Sequence, residues 1–315
     1  MNKFENTGSK DTRSGFGSGL SELGRSNPNV VALCADVAPP TESDLFKNVF
    51  PDRFYMTGIA EANTIGLASG MARMGDIPFV HSFCVFITRR AYDQIAMQIA
   101  YPKTNVKLIG FLPGITTALG VSHQAIDDIA LMRALPNMCV IEPSGPEQID
   151  SVINQIYEFN GPVYVRQNRA SRFYDKNELK DFEIGKCYVE KKGKDIAIFS
   201  CGLMVEESLK AANLLNDEGI NAYVINVSTI KPLNDPLICD IVNECKYFVT
   251  AENHSIIGGL GDAVASFLNE NKVQYFHSKV GLNDIFAEGA STDYLMKKNE
   301  LNFESIYKTS IELIK

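Results

Sequence analysis

Four short stretches of the 315-residue sequence hold side chains whose types and spacing could do chemistry. In Gly58-Ile59-Ala60-Glu61-Ala62-Asn63 a carboxylate opens a helical pattern directly after the strand-like segment 55–60. Taken alone, Glu61 is an ordinary first-turn acid favoured by the helix dipole. Its neighbours are small or apolar, however. A carboxylate in a dry site has a raised pKa and can share a proton with a heterocycle nitrogen. In His81-Ser82-Phe83-Cys84-Val85-Phe86, two aromatics three residues apart follow a strand end. Core packing accounts for them, and so does an apolar slot for a flat ring. Arg89-Arg90-Ala91-Tyr92-Asp93-Gln94-Ile95 reads as a solvated helix face or a salt-bridged subunit contact. Gly120-Val121-Ser122-His123-Gln124 sets a lone histidine in a glycine-containing loop. It is either a plain loop residue or a group that donates to a developing oxyanion or moves a proton.

The elements that must position these residues are legible from periodicity. Apolar runs 29–37, 78–86, 105–111, 138–143 and 162–167 read as strands. Helical patterns lie between them at 61–75, 89–102, 127–136 and 146–159. Alternation of this kind, with nearly continuous apolar strands, predicts a parallel sheet covered on both faces. Ligands of such folds bind at the carboxyl ends of the strands. Residues 171–194 are charged and aperiodic, which predicts a linker. A second alternating unit follows, with strands at 195–202, 221–230, 246–253 and 273–280 and helices at 205–219, 256–271 and from about 284. The expected fold is two doubly wound α/β domains, a larger one over 1–185 and a smaller one over 190–315.

Composition narrows the function classes. The net charge of −8 gives no electrostatic reason to expect nucleic acid or an anionic membrane as partner. No apolar run reaches the length of a membrane span. The polar N-terminus lacks the apolar core of a secretory signal, so the expected compartment is the cytoplasm. The seven cysteines show no CxxC spacing, and several sit inside apolar strands, where they read as buried, reduced hydrophobes. No metal ligand set is expected in this chain.

Taken in order, GIAEANTIGLASGMA, SFCVFITRRAYDQI, SHQAIDDIALMRALPNMCVIEPS, VYVRQN and ENHSIIGGLGDAV resemble the transketolase family, specifically its pyrimidine-binding and C-terminal domains. The resemblance runs from about residue 10 to the end. It implies thiamine diphosphate as cofactor, with Glu61 hydrogen-bonded to N1′ of the aminopyrimidine and Phe83 and Phe86 packed on that ring. It implies that Asp36 and Val37 approach the thiazolium and that His123 contacts substrate oxygens near the reacting carbons. It also implies that Arg166 binds the substrate phosphate, with Arg13 as a weaker second candidate. The reaction implied is transfer of a two-carbon ketol unit from a ketose to an aldehyde. Tyr92, Asp93 and Gln94 look structural, as do Glu252 and His254 in a second domain that serves dimerisation and packing.

Three departures from the family pattern bear on the substrate. Ala118 and Leu119 stand where an acidic pair is usual, Leu112 where a phosphate-contacting histidine is usual, and Pro40 where a serine is usual. Loss of polar partners alters which analogues a site rejects. The expectation is a modified, deoxy or otherwise unusual sugar. The Gly-Asp-Gly segment that holds the cofactor's diphosphate through Mg²⁺ is also missing, since Gly261-Asp262-Ala263 lies in the second domain. An alpha-type partner chain is therefore expected to carry that site and the Mg²⁺, in an α2β2 assembly with contact between two copies of this chain. The alternatives are the beta subunit of a 2-oxo acid dehydrogenase first component, a deoxyxylulose-phosphate-synthase-like enzyme, and a non-catalytic scaffold subunit.

Overall fold

Near-continuous apolar runs of five residues become strands buried along their whole length, which only a sheet covered on both faces allows. The computed structural model describes residues 14–168 and 181–315. The first half runs α1 (Phe16–Ser26), β1 (Val30–Cys34), α2 (Ser43–Val49), β2 (Phe54–Met56), α3 (Glu61–Arg73), β3 (Ile77–Phe83), α4 (Cys84–Arg89), α5 (Tyr92–Gln94), β4 (Lys107–Phe111), α6 (Asp128–Ala134), β5 (Cys139–Ile141), α7 (Ile149–Glu158) and β6 (Val163–Gln167). The second half runs β7 (Tyr188–Lys191), β8 (Ile196–Ser200), α8 (Met204–Asp217), β9 (Ala222–Asn226), β10 (Thr229–Lys231), α9 (Leu237–Cys245), β11 (Tyr247–Ser255), α10 (Leu260–Glu270), β12 (Phe276–Leu282), α11 (Thr292–Lys298) and α12 (Phe303–Ile314).

Two α/β units result, as expected. The first sheet has the order β10-β5-β6-β4-β3-β1-β2 and the second β12-β11-β8-β9-β7. All pairings are parallel except those of the two late or edge strands, β10 with β5 and β7 with β9. The chain leaves β1 for β2 on one side and returns to β3 on the other, so the strand order reverses between β1 and β3. A crevice at the carboxyl ends of these strands is where ligands of such sheets bind. α7 shows how the layers close: Ile149, Val152, Ile153 and Ile156 form one buried stripe at helical spacing.

The structure differs from the periodicity at four places. The strand expected over 78–86 stops at Phe83, and Cys84–Arg89 turn into α4. The helix expected over 89–102 begins as α5 and continues as a π-helix, Ile95–Ala100. The single strand expected over 221–230 is two, and its second part, β10, leaves the second sheet to pair with β5 of the first. Within the expected linker, β7 edges the second sheet. Period-two patterning cannot distinguish one strand from two that serve different sheets.

All seven cysteines are free, and only Cys239 is not fully buried. No helix among the described residues is long and apolar enough to cross a membrane.

Candidate active site

Glu61 opens α3 and is 5% exposed. The turn before it is built from small residues. Thr57 Oγ1 donates to the carbonyl of Cys34 at the end of β1 (3.1 Å) and contacts Thr64 Oγ1 on α3 (2.6 Å). Gly58 adopts φ +73, a left-handed conformation that favours glycine. Strand end, turn and helix start are thereby locked together, and the carboxylate is delivered to the crevice at the strand reversal.

Phe83 ends β3 and Phe86 lies in the first turn of α4, so the strand-to-helix switch brings both rings to the same crest. Their centroids are 5.8 Å apart, and His123 lies 6.1 Å from Phe83 and 5.0 Å from Phe86, edge-on to the latter. Arg90 completes the group. Its guanidinium lies 3.9 Å above the Phe86 ring, and Nη1 donates to Glu61 Oε1 at 3.2 Å. A flat, nitrogen-donating group therefore spans from the aromatic face to the carboxylate. That is the shape and donor pattern of an aminopyrimidine edge, so the residues present fit such a ring. In the sequence, Arg90 stands as part of a solvated helix face or a salt-bridged subunit contact. The signal that finds it is its spacing, four residues beyond Phe86 on a helical run, which puts the two on one face. The neighbouring Arg89 pairs with Asp127 at 2.8 Å and ties α4 to the start of α6.

Glu61, Phe83, Phe86 and His123 are thus brought together. Asp36 and Val37 follow β1 on the same crest. Asp36 is exposed at φ +60, and the Val37 carbonyl accepts from Thr41 Oγ1 at 2.7 Å. Pro40 lies in the adjoining short turn, and Leu112 follows β4 at φ +59. Ala118 and Leu119 are exposed in the loop that bears His123, with Leu119 60% exposed. The imidazole Nδ1 of His123 contacts Ser122 Oγ at 2.9 Å. Arg13 lies outside the described residues.

Arg166 corrects the expectation of a phosphate ligand. It is fully buried between the two domains, and its guanidinium is spent on internal partners. Nε donates to Asp128 Oδ2 at 2.8 Å, Nη1 to both oxygens of Glu142 at 3.0 and 3.1 Å, and Nη2 to the carbonyls of Ala125 and Asn253 at 3.0 and 2.8 Å. No donor remains for a phosphate. Tyr164 donates to the same Asp128 oxygen at 2.6 Å. Burial works to raise the Asp128 carboxyl, but the Arg166 charge and the bonds from Arg166 and Tyr164 hold it below the usual range.

Glu252 and His254 sit inside the second domain. The Glu252 carboxylate accepts from the amides of Leu260 and Gly261 (2.6 and 2.9 Å) and fills the amino end of α10. Burial lifts it to about 7 even so. Among the described residues, no group of three His, Cys, Asp or Glu side chains is arranged to hold a metal ion.

A parallel sheet with a buried carboxylate and two neighbouring aromatic rings beyond its strand ends, backed by a second α/β domain, defines a two-domain α/β chain. Residues 8–172 match the family model described as the transketolase pyrimidine-binding domain, and residues 185–306 that of the transketolase C-terminal domain. The chain belongs to the transketolase family. It is 39% identical over 295 residues to the 6-deoxy-6-sulfo-D-fructose transketolase subunit SqwH of Clostridium sp. (strain MSTE9), covering 93% of this chain and 91% of that one. It is 32% identical over 306 residues to one of the subunits of the apulose-4-phosphate transketolase of Phocaeicola vulgatus, covering 96% and 97%. A solved structure described as a split-gene transketolase in an inactive beta4 tetramer superposes with a TM-score of 0.86 at 38% identity, covering 96% of this chain and 99% of that one.

Proposed function

We propose that this chain is the pyrimidine-binding subunit of a split transketolase that moves a two-carbon ketol unit from a ketose donor to an aldehyde acceptor, with a donor other than the common xylulose phosphate. The observation that carries the reading is the buried Glu61 carboxylate beside the Phe83–Phe86 slot, with His123 edge-on to Phe86. Thiamine diphosphate, when bound, supplies an electron sink for breaking a carbon–carbon bond next to a carbonyl. Glu61, buried at the start of α3, would hydrogen-bond the pyrimidine N1′. Phe83 and Phe86 orient the ring and exclude water. His123 donates to the substrate oxygen that gains charge. Asp36 and Val37 line the approach to the thiazolium, and Arg13 is the remaining candidate for a substrate phosphate. The exposed Leu119 replaces a hydroxyl-reading acid at the mouth, which supports a donor lacking or modifying that hydroxyl.

The sequence has no Gly-Asp-Gly segment, which supports a separate alpha-type chain holding Mg²⁺ and the diphosphate. Contact between two copies of this chain fits the exposed apolar residues Leu67 on α3 and Met97 and Tyr101 on or beside the π-helix. The proposed assembly is α2β2.

Calorimetric titration of thiamine diphosphate with Mg²⁺ into this chain, the partner and their mixture tests the reading. Tight binding is expected only in the mixture, which should turn over a ketose with an aldehyde acceptor and not with lipoamide. Glu61→Gln in the mixture is expected to lower turnover by about 10²–10⁴-fold with assembly intact. Tight binding to this chain alone, or unchanged activity in Glu61→Gln, overturns the proposal. A panel of xylulose 5-phosphate, 6-deoxy-6-sulfofructose and apulose 4-phosphate tests the donor. Activity confined to xylulose 5-phosphate removes the non-standard-sugar part.

A further inference from the structure

The loop that carries Leu119 and His123 belongs to the first domain by sequence and to the second by packing. It leaves β4 at Leu112 and enters α6 at Asp128. Ile115 and Ile126, near its two ends, are buried in the second domain's core among Ile196, Ile198 and Val249. The polar centre of this junction is Asn253 of β11, which is 1% exposed. Its Oδ1 accepts from the Ile115 amide at 3.0 Å, and its Nδ2 donates to the Pro113 carbonyl at 3.1 Å. The residue between them, Gly114, lies at φ +57, and a Cβ there would collide with Asn253 Oδ1 and the Asn253 carbonyl. The two strands of the loop are then stapled. The Gly114 amide donates to the Ala125 carbonyl at 2.8 Å, and Arg166 Nη2 bridges the carbonyls of Ala125 and Asn253. Nearer the crevice, Gln124 Nε2 donates to the carbonyl of Glu288 in the second domain at 3.0 Å.

We propose that Asn253 is a positioning residue. The second domain is the template on which the 113–125 loop is laid out, and Asn253 fixes where Leu119 and His123 meet the substrate. The inference rests on the reading of His123 as a substrate-contacting group. The side-chain type matters, because the loop offers one N–H and one carbonyl on either side of Gly114. An amide answers both, a carboxylate answers one and repels the other, and an alkyl group answers neither. An error of about 1 Å in a group that meets the reacting atoms is worth on the order of 10²-fold in rate.

Hydrogen exchange followed by mass spectrometry on the chain itself tests the template. Asn253→Ala and Asn253→Asp are both expected to speed exchange of the amides in 113–126 by about tenfold or more, with the sheet amides unmoved. Leu215→Ala, a deletion in the same core near the carboxyl end of α8, is the control and is expected to leave those amides protected. In the reconstituted enzyme, Asn253→Ala is expected to lower kcat/KM for the best donor of the three-sugar panel by on the order of 10²-fold. Exchange of the thiamine C2 proton should stay within about threefold of wild type, since that step belongs to Glu61. If the Asn253 variants do not fold, Ile115→Ala cuts the loop's other anchor and must move the same readouts. Unchanged loop exchange, an equal effect from Leu215→Ala, or C2 exchange falling in step with donor turnover overturns the inference. Donor turnover absent from the wild-type mixture counts against the proposed function instead, because the exchange measurement needs no activity.

Discussion

Arg166 is the residue whose surroundings most change its meaning. A guanidinium on a strand next to a substrate crevice suggests phosphate recognition, and its geometry suits that task. Here the partners that consume it, Glu142 and Asp128, are 24 and 38 positions away in sequence and meet it only when β5, β6 and α6 assemble. Removing the cation leaves two carboxylates buried without their counter-charge. Arg166→Met is therefore expected to lower stability by about 3–5 kcal/mol, read as a drop in the urea midpoint. A variant of unchanged stability that loses only phosphorylated donors would restore the phosphate role. Glu61, Phe83, Phe86 and His123 were legible because the ordered motifs around them resemble the transketolase family, each local text carrying its own residue. Arg90 and Asn253 were not, because their meaning lies in partners that only the fold supplies. Asn253 reads as one more polar residue after a strand until Pro113 and Ile115 are laid against it.

At the scale of elements, the buried strands and the amphipathic α7 followed from periodicity, and the breaks did not. Phe83 could be followed by more strand or by a helix, since Cys84-Val85-Phe86-Ile87 is apolar either way. Its turn into α4 is what lets two aromatics face one crevice. The turn into α3 has the same importance and rests on Gly58, where a side chain would meet no atom within 4 Å, so its requirement is purely conformational. Gly58→Ala is expected to lower stability by about 1–2 kcal/mol and to reduce kcat of the reconstituted enzyme more than it raises KM, because Glu61 starts the next helix. Thermal melts and steady-state kinetics measure both. A loss confined to KM would separate the turn from the carboxylate's placement.

The whole molecule is built to be acid-sensitive. Burial presses His81, His254 and His277 each down to about 4 from the ordinary 6.5. Between those values the unfolded chain binds more protons than the folded one. The contribution is complete above pH 6.5 and is lost as the pH falls toward 4. Glu252, lifted by burial from 4.5 to about 7, acts the other way over 7 to 4.5. With three groups against one, the urea midpoint is expected to fall between pH 6.5 and 4.5. His277 stacks on Phe248 at 4.2 Å, so His277→Phe keeps the contact and removes the titration. It is expected to narrow the fall, and an equal fall in both proteins would discount His277 as a contributor.

The short strand β10 has a further consequence. Three residues from the second half of the chain close the edge of the first sheet, and Ile115 and Ile126 from the first half are buried in the second core. A gene divided near residue 185 would yield two polypeptides, one with a bare edge at β5 and the other with an unfilled core. Each would be prone to stick to its neighbours before finding its complement. The two domains are therefore one heritable piece, and recombination that exchanges one of them must carry the other along.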